Sequence, residues 1–143
     1  MTKGWNRSAT PGENAGALLP PLARDYLRGG RAAVNPECTW AEMHRFRLIS
    51  KRFRYTLEIF REFYDDGIDE RIAAVRRVQT VLGDGNDCEA TLQSGAAADH
   101  REFAAWLRDR QRRLEHEFRN VWHAEFDGRG EDYWIGYLGS PRS

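Results

Sequence analysis

The spacing of apolar residues places the strongest constraint on the fold of this 143-residue chain. Apolar side chains recur three and four positions apart, as in Ile68, Ile72, Val75, Val78 and Leu82, and no segment alternates apolar with polar residues as a half-buried strand would. A period near 3.6 residues gathers each apolar stripe on one face of a helix, where neighbouring helices can bury it. The sequence therefore predicts an all-α fold, an antiparallel helical bundle of about four to five helices.

Start and stop signals divide the chain into segments. Thr39, followed three residues later by Glu42, has the capping-box pattern that begins a helix, whereas Gly83 and the turn-forming stretch DGND have the pattern that ends one. We expect a disordered lead-in at 1–15, which is rich in Gly, Asn, Ser, Thr and Pro, a bundle at 16–126 and an aromatic-containing tail at 127–143. The predicted helices span about 16–28, 40–64, 68–83, 86–93 and 97–126.

The overall composition narrows the class of protein. The 22 Lys and Arg residues equal the 22 Asp and Glu residues, so a polyanionic partner can be inferred only from where the charges lie. Two cysteines, Cys38 and Cys88, are too few and too far apart for a disulfide framework or a zinc site. There is no apolar core of signal-peptide length and no run of about 18 apolar residues. We therefore expect a cytoplasmic protein without a membrane segment.

The stretch MHRFRLISKRFRYTLEIF, residues 43–60, holds five basic residues and a histidine between His44 and Arg54, and no acid. On a helix its apolar residues form one core stripe, namely Phe46, Ile49, Phe53, Leu57 and Phe60. The residues on nearly the opposite side are called the basic ribbon here: His44, Arg45, Arg47, Lys51, Arg52, Arg54 and Tyr55, with Arg45 and Arg52 along one edge. Like charges three and four residues apart repel by a few tenths of a kcal/mol. Either acids from another helix or an anionic ligand should face the ribbon, unless it is an ordinary solvated face.

A second set of basic residues lies along one edge of the last predicted helix, where acids such as Glu115 are interleaved. Its members are Arg101, Arg108, Arg112, Arg119 and His123. Of these, Arg108, Arg112 and Arg119 are secondary candidates for anion binding. Two helices of one bundle with adjoining basic edges would form a positive groove, which binds polyphosphate or a nucleic-acid backbone by counterion release.

Other chemistry finds less support in the sequence. The stretch DGNDCE lacks residues that a calcium-binding EF-hand loop requires. His116 and His123 are seven residues apart, whereas helical metal sites use pairs three or four apart. Cys38 and His44 lack a third residue that would orient them as nucleophile and base, and no acidic metal ligands cluster with His44 for phosphoryl transfer. We expect no enzymatic activity, no metal and no cofactor.

Two motifs in this order resemble the CHAD (conserved histidine α-helical) domain family: MHRFRLISKRFRYTLEIF and, about twenty residues later, VQTVLGDGND. The matching residues of the second motif are Gln79, Leu82, Gly83, Asn86 and Asp87. The arginine-rich segment WLRDRQRRLEHEFRNVW also resembles the closing helix of the family, so the resemblance covers about residues 16–126. CHAD domains usually contain two such bundles, whereas this chain carries one copy of each motif and is most similar to the second half.

The resemblance implies a bundle whose basic surface binds inorganic polyphosphate, and association with polyphosphate granules. The family's histidine and basic positions fall on His44, Arg45, Arg47, Lys51, Arg52 and Arg54. A symmetric homodimer would restore the two-bundle groove. The alternatives are a nucleic-acid or protein interaction module that uses the same face, or an accessory to a CYTH-type triphosphate-processing enzyme. Nucleic acid is the weaker expectation, because the ribbon offers only Tyr55 for stacking on bases.

Overall fold

The computed structural model describes residues 4–142, and in this range the chain is helical without strands. Four long α-helices follow one another along the chain: α1 Pro11–Ala33, α2 Trp40–Ile59, α3 Gly67–Gln93 and α4 Arg101–Trp122. A short 3-10 helix at Arg61–Phe63 joins α2 to α3, and two π-helical segments at His123–Asp127 and Asp132–Gly136 follow α4. The prediction of an all-α bundle is confirmed.

Side-chain caps begin the first two helices. Thr39 accepts a hydrogen bond from the backbone N–H of Glu42 at 3.2 Å, and its hydroxyl contacts the Glu42 carboxylate at 3.1 Å, which is the predicted cap of α2. Thr10 caps α1 in the same way through Glu13, and Pro11 occupies the first helical turn. Helix α1 therefore begins within the segment that the sequence assigned to a disordered lead-in, and Ala15 is fully buried.

Helix α3 is continuous where the sequence predicted a break. Gly83 and the DGND stretch lie inside Gly67–Gln93, so the expected turn and the separate short helix at 86–93 are wrong. The physical reason is that glycine also permits close approach of a side chain, and α2 approaches α3 at this point. Helix α3 ends instead before Gly95, which has a φ of 80° that favours glycine.

The buried face of α2 is rotated slightly from the predicted stripe. Phe46, Phe53 and Leu57 are buried, but Ile49 is 45% exposed and Phe60 is half-buried. Ser50, a polar residue, lies at the centre of the buried face and shares a 2.8 Å hydrogen bond with the Tyr26 hydroxyl. The prediction used apolar residues alone and so left out Ser50. As a result, the predicted centre of the buried face lay too close to Ile49.

The tail packs against the bundle. The rings of Trp122, Phe126 and Trp134 stack in sequence, with centroid distances of 4.2 Å and 4.7 Å. The Trp134 indole N–H donates to the Glu125 carbonyl at 2.9 Å, and the Tyr64 hydroxyl donates to the Leu138 carbonyl at 2.6 Å. The segment after residue 127 thus contributes core residues to the bundle. No helix in residues 4–142 has the length and apolar character needed to cross a membrane.

We expect Trp134→Ala to lower the free energy of unfolding by about 3–5 kcal/mol, because it removes a fully buried ring from the stack. Urea unfolding followed by circular dichroism measures the change. Trp106→Ala is the matched control, since the Trp106 side chain is 53% exposed and its removal should change stability by less than about 1 kcal/mol. Equal losses in the two variants would contradict the packed position of the tail.

Candidate functional site

The basic ribbon lies where α2 packs antiparallel to α3. Arg54 on α2 donates from Nε to the Gln79 side-chain oxygen on α3 at 2.9 Å. Nearer the start of α2, the Arg47 side chain crosses Gly83, where an added Cβ would lie 3.0 Å from the Arg47 Nε. These two contacts fix the register of the α2–α3 interface, and Lys51 lies between them along α2.

Two nitrogen atoms of the ribbon are buried without a hydrogen-bond partner within residues 4–142, the Nδ1 of His44 and the Nε of Arg47. Most buried polar groups in folded proteins have such a partner, and leaving one without it costs about 1–3 kcal/mol. The side chains of both residues are otherwise half-exposed at the α2–α3 interface. The sequence does not reveal this burial, because it depends on the approach of α3.

Most cations of the ribbon have no carboxylate near them. Arg54 is paired with Glu58 at 3.2 Å, whereas no carboxylate among residues 4–142 lies within 4.0 Å of the other four cations, which are Arg45, Arg47, Lys51 and Arg52, or of His44. Arginines elsewhere are commonly paired, as Arg61 is with Asp69 at 2.8 Å and Arg77 with Glu125 at 3.0 Å. Within residues 4–142, neighbouring helices therefore form no ion pair with these residues, although Asp25 of α1 lines the same cavity as Arg52.

The ribbon has two sides. His44, Arg47, Lys51 and Arg54 lie towards α3, and the exposed Tyr55 ring lies 4.8 Å from the Arg54 guanidinium and 5.8 Å from the Lys51 ammonium. Arg52 lies towards α1, where it lines a cavity of about 270 Å³ with Leu22, Ile49 and Phe53, among others. Arg45, which the sequence placed on the same edge as Arg52, is exposed.

The arginines of α4 lie in surroundings different from those of the ribbon residues that face α3. Arg108 and Arg112 line a separate cleft beside Trp40, and Arg112 is paired with Asp109 at 3.7 Å. Arg119 donates from Nε to the Val34 carbonyl at 3.1 Å and so ties α4 to the end of α1.

The same cleft contains two carboxylates, those of Glu89 and Glu115. Hydrogen bonds from Gln111 and Gln93 lower the pKa of Glu89 below its ordinary value, so this carboxylate stays ionised beside the α4 arginines. Arg108 and Arg112 therefore lie in a cleft of mixed charge, unlike the residues of the ribbon. Within residues 4–142, no group of three or more His, Cys, Asp or Glu side chains is arranged to hold a metal ion.

Three residues of this interface were not among the predicted site residues: Glu58 on α2 and Arg76 and Gln79 on α3. Arg76 contacts Glu58 at 3.2 Å, which extends the antiparallel register set by Arg54 and Gln79. Arg76, Gln79 and Gly83 recur at helical spacing in the sequence, so they share one face of α3. The spacing could have indicated that these α3 residues share a face. Only the register between α2 and α3 shows that this face lies beside the ribbon.

Within residues 4–142, the fold and the site define an all-α domain in which most cations of the basic ribbon have no ion pair and lie along a helix–helix interface. A family model described as the CHAD domain matches residues 4–94, more than half of the chain, and the protein belongs to this family. The match contains α1, α2 and α3 and stops before α4, so the resemblance of α4 to the family's closing helix lies outside it. Neither a curated protein nor a solved structure matches the chain.

The two glycines at the interface should respond differently to alanine. A Cβ at Gly85 would overlap the Trp40 indole, so we expect Gly85→Ala to lower the free energy of unfolding by about 1–3 kcal/mol or more. At Gly83 the obstacle is the mobile end of Arg47, and alanine favours the helix by up to about 1 kcal/mol. Gly83→Ala should therefore leave stability unchanged or raise it.

Urea unfolding of the two variants beside the wild type tests this contrast, and each serves as the control for the other. A loss of stability in Gly83→Ala as large as that in Gly85→Ala would show that Arg47 cannot move aside, contrary to the expected freedom of its guanidinium.

Proposed function

We propose that this domain binds inorganic polyphosphate along the basic ribbon of α2. The observation that carries the proposal is the set of four ribbon cations, Arg45, Arg47, Lys51 and Arg52, with no carboxylate within 4.0 Å in residues 4–142. Holding like charges one helical turn apart is unfavourable, and a polyanion along the side that faces α3 would relieve the repulsion between Arg47, Lys51 and Arg54. Membership of the CHAD family supports the same assignment.

The dimensions of the ribbon suit a linear polyanion. His44 and Arg54 are ten residues apart, which is about 15 Å at a rise of about 1.5 Å per residue. Arg47 and Arg54 offer planar guanidinium groups that match phosphate oxygens, and Lys51 adds a point charge between them. His44 and Tyr55 add hydrogen bonds, and Arg45 and Arg52 contribute from the exposed edge. Each phosphate bound would release a counterion.

Three further features extend the proposal. The domain acts as a binding module rather than a catalyst, and it attaches to polyphosphate granules or serves as an accessory to a CYTH-type enzyme. A second copy of the chain would supply a second ribbon and enclose the polyanion from both sides. Nucleic acid is the competing ligand, and the single ribbon aromatic, Tyr55, gives little basis for base stacking.

We expect the triple variant Arg47→Ala/Lys51→Ala/Arg54→Ala to weaken binding of labelled long-chain polyphosphate by at least about tenfold at low salt. Three phosphate contacts are lost, and the slope of log K against log salt should become shallower by about two to three. Fluorescence anisotropy at several salt concentrations measures both quantities, with duplex DNA and single-stranded RNA as competitors.

The matched control is Arg24→Ala/Arg28→Ala/Arg31→Ala, which removes the same charge from exposed positions on α1. Its affinity should stay within about twofold of the wild type, and circular dichroism should show both variants folded. Equal weakening in the two variants would mean that net charge alone governs binding. Tighter binding of RNA or DNA than of polyphosphate would favour the competing function.

A further inference from the structure

One carboxylate already occupies an anion position at the end of the ribbon. The Oε1 atom of Glu58 lies 3.2 Å from the Nη1 of Arg54 and 3.2 Å from the Nη2 of Arg76. Guanidinium groups from two helices, α2 and α3, thus converge on a single oxygen. A phosphate oxygen would accept from the same two donors in the same way.

The position of Arg54 does not depend on Glu58. The Arg54 Nε donates to Gln79 at 2.9 Å, its guanidinium lies against the Tyr55 ring, and its side chain is only 15% exposed. Glu58, by contrast, is the penultimate residue of α2, and its side chain is 35% exposed. If Glu58 turns towards solvent, the Arg54 guanidinium stays in place and can accept another anion.

Arg76 is less restrained. Its side chain is 57% exposed, and within the part of the chain that the structure describes its hydrogen bond goes to Glu58. The register of the α2–α3 interface places it one helical turn beyond Gln79, on the same face of α3. Arg76 therefore continues the line of ribbon cations onto the neighbouring helix.

We propose that Arg76 is a further phosphate-binding residue and that Glu58 is an internal competitor, which a phosphate of the bound polyanion displaces from Arg54 and Arg76. The site then has cations from both α2 and α3, and it is partly neutralised when empty. This inference rests on the proposed function, because the displacing group is a phosphate of inorganic polyphosphate. A tetrahedral phosphate presents several oxygens to the two guanidinium groups, whereas Glu58 presents one to both.

The first test compares Glu58→Gln with Glu62→Gln, using labelled inorganic polyphosphate and the full chain. Both variants lose one negative charge, but Glu62 is exposed and has no cation within 4.0 Å of its carboxylate in residues 4–142. We expect Glu58→Gln to bind about two- to fivefold more tightly than the wild type, because the partly exposed ion pairs of Glu58 with Arg54 and Arg76 no longer compete with phosphate. Glu62→Gln should change the affinity for polyphosphate by less than half of the change that Glu58→Gln causes. Equal affinities in the two variants overturn the inference.

The second test compares two adjacent arginines of α3. Arg76→Ala should weaken binding about two- to fivefold and lower the salt slope by about one. Arg77→Ala removes the same charge, but Arg77 is paired with Glu125 away from the ribbon and should have little effect. In the Arg76→Ala/Glu58→Gln double variant, the gain from Glu58→Gln should be reduced. If Arg76→Ala binds polyphosphate as tightly as Arg77→Ala does, the inference is overturned. This comparison holds even if Glu58→Gln fails to fold.

Failure of the inference and failure of the proposed function give different results. If the wild type binds polyphosphate and the triple ribbon variant does not, while Glu58→Gln and Glu62→Gln are alike, only the role of Arg76 and Glu58 is wrong. If the wild type does not bind polyphosphate at low salt, both proposals are wrong.

Discussion

The close approach of α2 to α3 at Gly83 and Gly85 is the constraint on which the candidate site depends. Trp40, the first residue of α2, lies on Gly85, and Arg47, two turns later, lies across Gly83. The contact at Gly85 needs a residue without a Cβ, since a methyl group would overlap the indole, whereas at Gly83 a methyl group would lie 3.0 Å from the flexible Arg47 side chain. The two contacts set the axial register of α2 relative to α3. From that register follow the Arg54–Gln79 hydrogen bond and the position of the ribbon along the interface.

A second close approach joins α1 to the end of α4. Gly30 of α1 lies against Trp122, which begins the stack that continues through Phe126 to Trp134 in the tail. The inner face of α2 joins this cluster through Tyr26, whose ring stacks on those of Phe46 and Phe53 at centroid distances of 5.0 Å and 4.5 Å. Stacked aromatic pairs contribute beyond their buried area. The helix that carries the ribbon is therefore held from its inner side by contacts that do not involve its charges.

The sequence predicted features that depend on one helix at a time. The helical class, the Thr39 cap and the acid-free run from His44 to Arg54 follow from local spacing, and the structure contains them. Features that depend on two helices were missed or misassigned. Gly83 predicted a helix end because the pattern of a stop is the same as that of a glycine beneath a crossing side chain. The partners Gln79 and Arg76 lie 25 and 22 residues from Arg54, and only the packing register brings them together.

The packing of α2 against α3 also affects the repulsion between the basic residues of α2. A solvated helix can disperse like charges by moving its side chains apart, so a basic run need not be unfavourable in isolation. Here Arg54 is restrained at the α2–α3 interface by its hydrogen bond to Gln79, and Arg47 lies across Gly83 without a hydrogen bond from its Nε within residues 4–142. Restraint keeps the cations close together and reduces the conformational entropy that an incoming anion would have to remove. Under the proposed function, packing that makes the unbound ribbon less favourable would thus favour a ligand whose charges repeat along the helix.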